Sequence, residues 1–95
     1  MRLSAKEQRI IRDIVSKYDP DANVYLYGSR TRDDLRGGDI DLLVFSDKIT
    51  FSDKIGILSD LKALLDDQKF DLTLSPQQPI DAFVKQALAG AIKIL

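Results

Sequence analysis

Tyr27–Phe45 reads YGSRTRDDLRGGDIDLLVF, and it places two carboxylates, Asp39 and Asp41, inside what is otherwise an apolar strand pattern. Residues two apart on a strand project from one face with their Cα atoms roughly 6.5 to 7 Å apart. Asp39 and Asp41 therefore form a pair, while Ile40, Leu42 and Val44 point to the other side. Like charges this close in a partly desolvated setting raise each other's pKa unless a cation lies between them. A hard divalent ion such as Mg²⁺, which takes carboxylate and phosphate oxygens, resolves that conflict. A phosphate loop is at hand just upstream. Gly28 lets the backbone approach a phosphate closely, and Ser29 adds a hydroxyl beside main-chain N–H groups. Arg30, Arg32 and Arg36 carry charge suited to a triphosphate, with Arg30 nearest the loop.

Upstream of this segment, Ser4-Ala5-Lys6-Glu7 has capping-box spacing, and Ile10, Ile11, Ile14, Val15 and Tyr18 recur at helical intervals. A first amphipathic helix is expected from about Ala5 to Tyr18, ended by Asp19-Pro20. Asn23–Tyr27 reads as a short strand leading into the Gly-Ser loop. The polar residues from Arg30 to Arg36 read as a loop or a short helix, broken by Gly37-Gly38 before the strand Asp39–Phe45.

Downstream, Thr50 to Asp53 offers a second cap, and Ile57, Leu58, Leu61, Leu64 and Leu65 form an apolar stripe on a helix reaching about Asp67. Phe70–Leu74, FDLTL, reads as a third strand, with Asp71 facing away from Phe70 and Leu72. After the turn Ser75–Pro79, a helix is expected from about Ile80 to Ala89, closed by Gly90. The apolar end Ala91–Leu95 reads as a piece packed on the sheet or as a surface for another chain. This order predicts an α/β (α+β) fold, a small mixed sheet with helices packed on it, as one domain over residues 1–95.

The chain has neither Cys nor His, which excludes thiol nucleophiles, disulfides, ordinary zinc sites and histidine acid–base chemistry. A formal net charge of -1 argues against a broad DNA- or RNA-binding surface. With no long apolar run and no signal-peptide pattern, the expected setting is the cytoplasm. If the third strand lies beside Asp39–Phe45, Asp71 joins Asp39 and Asp41. Three carboxylates would then be available for two metals and for accepting a proton from an incoming hydroxyl.

Together, GSRTRDDLRGGDIDLLV and KFDLTLS resemble the Gly-Ser, DxD and later strand Asp pattern of the DNA polymerase β superfamily, and the short length is similar to its minimal nucleotidyltransferase branch. The resemblance implies a polymerase β palm-like nucleotidyltransferase fold, with Gly28 and Ser29 on the nucleotide's phosphates. It implies Asp39 and Asp41 on two Mg²⁺ ions, with Asp71 completing the metal site and assisting the attacking hydroxyl. The implied reaction is transfer of a nucleoside monophosphate, AMP from ATP, to a hydroxyl with release of pyrophosphate. The implied partner is a small helical HEPN protein, a toxin that this chain would AMPylate and silence as its antitoxin.

Other readings stand beside this one. Asp39 and Asp41 could be surface acids of a solvated edge strand, Gly28-Ser29 an ordinary turn, and Asp71 a solvent-facing residue. At the level of function, the chain could be an antitoxin that neutralises its partner by complex formation alone, or a small-molecule nucleotidyltransferase completed by a partner chain.

Overall fold

The computed structural model describes residues 3–28, 40–65, 69–77 and 81–95. Helix α1, Ala5–Tyr18, begins at Ser4, whose hydroxyl accepts from the Glu7 N–H at 3.1 Å. The Glu7 carboxylate accepts in turn from the Ser4 N–H at 2.9 Å, completing the box. Strand β1, Asn23–Tyr27, and strand β2, Ile40–Phe45, pair antiparallel. Helix α2, Phe51–Leu64, has a second capping box from Thr50 and Asp53, and it crosses over to strand β3, Phe70–Ser75, which pairs parallel to β2. Helix α3, Ala82–Leu88, starts on the Asp81 side chain.

A two-residue strand, β4, Ile92–Lys93, pairs antiparallel with β1, so the sheet order is β3-β2-β1-β4. The mixed four-stranded sheet with helices on both faces is the expected fold class, with one more strand than expected. Of the two readings of the apolar end, packing is the one realised: Ile94 is buried in the core with Leu95 against it, and the segment also adds to the sheet edge. Val24 O accepts from the Ile94 N–H at 2.7 Å, and Leu95 O accepts from the Val24 N–H at 2.8 Å.

Alternation along the strands divides the core. Val24, Leu26, Ile40, Leu42, Val44 and Leu72 face α1 and α2, where they meet Ile11, Val15, Ile57 and Leu61. Leu43 and Phe45 face the other way, onto Val84 of α3, with Tyr25 and Tyr27 beside them. Each fully buried Leu or Ile of the larger layer contributes about 1.5–3 kcal/mol of transfer free energy. α1 and α2 approach closely at Gly56, where a Cβ would come within 2.7 Å of the Tyr18 hydroxyl.

Two helix boundaries depart from expectation. α2 ends at Leu64, short of Asp67, because Leu65 leaves helical geometry (φ -123, ψ 72) and turns into the core. Ile57, Leu61 and Leu65 form the buried row, and Leu64, at its rim in the last turn, is 60% exposed, so it is not a core residue. α3 starts at Ala82 and ends at Leu88, because Asp81 takes the cap by accepting from the Val84 N–H at 2.9 Å. Among the described residues no helix is long and apolar enough to cross a membrane.

Candidate nucleotide and metal site

Register aligns two of the candidate carboxylates. Tyr27 of β1 pairs with Asp41 of β2, and Asp41 pairs with Asp71 of β3, so these three side chains form one row on the α3 face of the sheet. Neighbouring strands lie about 4.7–4.9 Å apart, which brings the two carboxylates side by side. Asp41, on a central strand, is half-buried, whereas Asp71, on the edge strand, is exposed. The expected adjacency of the third strand to the acidic strand is therefore realised for Asp41 and Asp71.

Gly28 follows β1 directly, at the same end of the sheet, and its φ of 80° lies in the left-handed region that favours glycine. A Cβ there would run into the Asp41 carboxylate, with Asp41 Cγ only 3.3 Å away. The glycine thus provides more than backbone freedom, since its missing side chain leaves the space into which the Asp41 carboxylate leans. Ser29, Arg30, Arg32, Arg36 and Asp39 lie outside the described residues.

The donor set suits a hard cation. Asp41 and Asp71 offer carboxylate oxygens only, beside a backbone turn without a side chain, which matches the oxygen preference of Mg²⁺. Among the described residues no group of three or more acidic, His or Cys side chains gathers that could hold a metal ion, and Asp41 and Asp71 stand as a pair.

Two features escaped the reading of the sequence. Tyr27 and Thr73 join hydroxyls at 3.2 Å across β2, next to the acidic row. The only available signal was that Tyr27 precedes Gly28 and that Thr73 lies two residues beyond Asp71. At the opposite end of the sheet, Asp19 is buried at 2% exposure and accepts from the Ser46 hydroxyl and, at 2.9 Å, from the Asp21 N–H. The Ser46 hydroxyl oxygen also accepts from the N–H groups of Lys48 and Ile49, both at 3.0 Å. The Ser46 hydrogen bond holds the Asp19 carboxyl below its ordinary pKa, with help from the Asp21 N–H and the Lys48 charge, while burial pulls the other way. This network ties the exit of α1 to the end of β2 and has no part in the acidic site.

Residues 8–94 match the family model described as a nucleotidyltransferase domain. No curated protein matches the chain in sequence. The fold is similar to that of a solved mutant of the toxin–antitoxin MntA–HpeT, with a TM-score of 0.66 at 18% identity over 94% of this chain and 71% of that one. It is also similar to a structure of tri-AMPylated Shewanella oneidensis HEPN toxin in complex with MNT antitoxin, with a TM-score of 0.65 at 17% identity over 95% and 70% of the two chains.

Proposed function

From the premise that the chain belongs to the nucleotidyltransferase domain family, we propose that it is a Mg²⁺-dependent adenylyltransferase that moves AMP from ATP onto a hydroxyl of a HEPN-type partner. The observation that carries this is the row in which Asp41 and Asp71 stand side by side while the Asp41 carboxylate fills the space left by Gly28. A phosphate-approachable turn and a carboxylate pair then share one corner of the sheet. Asp39, Asp41 and Asp71 hold the metals, and Gly28, Ser29 and Arg30 hold the triphosphate. When bound, Mg²⁺ neutralises charge on the transferring phosphoryl group.

In the transfer, the acceptor oxygen forms a bond to the α-phosphorus, and the bond from that phosphorus to the pyrophosphate oxygen breaks. The acceptor proton passes to a carboxylate oxygen of Asp71, whose exposure on the edge strand leaves it open to an incoming group. The backbone at Gly28 and the Arg30 guanidinium orient the departing pyrophosphate. A HEPN partner is supported by the similar folds coming from toxin–antitoxin complexes, one of them holding a tri-AMPylated HEPN toxin.

The test is the intact mass of a HEPN partner after incubation with this chain, ATP and Mg²⁺, beside the Asp39→Asn/Asp41→Asn variant. The expected result is a gain of one or more AMP units with the wild-type chain and none with the variant. A stable complex without mass gain, with neutralisation surviving the double substitution, would instead establish an antitoxin that acts by binding.

A further inference from the structure

The Tyr27–Thr73 contact lies one row away from the proposed metal site. Tyr27 belongs to the row Tyr27–Asp41–Asp71, whereas Thr73 belongs to the next row, Tyr25–Leu43–Thr73. To bring its hydroxyl within 3.2 Å of Thr73 Oγ1, the Tyr27 side chain must run diagonally over β2, between Asp41 and Leu43. It thereby ties β1 to β3 across the strand that carries Asp41.

This geometry bears on which way Asp41 points. A side chain on a strand chooses among a few staggered rotamers. The Tyr27 ring occupies the direction along β2 toward Leu43, and Asp71 flanks Asp41 on β3. The side toward Gly28, where a Cβ is missing, is the one the carboxylate takes. The surrounding layer, Leu43, Phe45 and Val84 with Tyr25, Ala87 and Leu88, is otherwise largely apolar, so the two half-buried hydroxyls find their polar partners in each other.

We infer that Tyr27, held by Thr73, is a positioning residue that keeps the Asp41 carboxylate turned toward the Gly28 phosphate corner. The inference rests on the function proposed above. Groups that orient a metal ligand without touching the metal typically change metal affinity or activity by about 10- to 100-fold when removed.

The experiment uses the full chain and Mn²⁺ as the metal probe, with a non-hydrolysable ATP analogue, and reads bound metal from the loss of the free Mn²⁺ electron paramagnetic resonance signal. Tyr27→Phe and Thr73→Val each remove one hydroxyl and keep the side-chain shape. Each is expected to weaken Mn²⁺ binding about tenfold, while melting temperatures fall by no more than about 8 °C. The double variant should bind no more weakly than either single variant, and Thr73→Ser, which restores a hydroxyl, should bind as the wild type does. Folded single variants with wild-type Mn²⁺ affinity would overturn the positioning role and leave the proposed function standing. Losses that multiply in the double variant would also overturn it, since the two hydroxyls would then act separately. A wild-type chain that takes up no Mn²⁺ with the nucleotide would overturn the proposed metal site itself, and the positioning role with it.

Discussion

Replacing Gly28 by Ala tests the corner where strand, turn and carboxylate meet. Two costs arise, and they can be separated. At φ 80° an L side chain is strained, which costs roughly 1–2 kcal/mol of folding stability. For a domain of this size that lowers the melting temperature by about 4–8 °C per kcal/mol. The second cost falls on the carboxylate row, because the new Cβ would occupy the space of the Asp41 carboxylate and force it to rotate away from Gly28. Urea denaturation reads the first cost, and calorimetric titration of a non-hydrolysable ATP analogue with Mg²⁺ reads the second. Gly28→Asn divides them: Asn tolerates the left-handed conformation but keeps a Cβ, so most of the stability should return while nucleotide affinity stays low. A Gly28→Ala variant that matches the wild type in both assays, or a Gly28→Asn variant that restores nucleotide binding, would refute this role of Gly28.

Further outcomes follow from the core and from the buried carboxylate. Leu42→Ala, at a fully buried central-strand position, should lower unfolding free energy by about 2–5 kcal/mol in urea, and a loss under 1 kcal/mol would contradict the packing described. Asp19 has a folded-state pKa below its unfolded value near 3.9, so its contribution to stability is full above that value and disappears as pH falls through the lower folded one. Acid titration of stability should accordingly show a shallower loss below about pH 4 for Asp19→Asn than for the wild type, and parallel curves would refute the assignment. Ile92→Pro, which removes an N–H donor from the short edge strand, should destabilise the C-terminal segment and appear as faster amide exchange at Ile94 and Leu95.

What the sequence made legible was local or periodic. Ser4 with Glu7, and Thr50 with Asp53, announced both long helices because a capping box needs only a three-residue spacing. The strand positions of Asp41 and Asp71, and the side each faces relative to Leu42 and Leu72, follow from the period of two, and the parallel register of β2 and β3 aligns them. The parts that could not be read depend on contacts distant along the chain. Ile92 and Lys93 have no strand pattern of their own and become β4 only because the open edge of β1 accepts them. Leu64 matched the apolar stripe, yet it is exposed because the end of α2 carries it to the rim of the buried row. Asp19 had the signature of a helix stop, while its burial depends on Ser46, far along the sequence. The Tyr27–Thr73 contact likewise needs the strand order before it can be imagined.

Nucleotide transfer at the carboxylate row is tested by following label from ATP into a HEPN partner, with the radiolabel at either the α- or the γ-phosphorus. The expected result is incorporation from the α-label only, dependent on Mg²⁺, accompanied by pyrophosphate release, and reduced about 100-fold or more by Asp41→Asn or Asp71→Asn. Incorporation from the γ-label, or α-label incorporation that Asp41→Asn leaves unchanged, would contradict it.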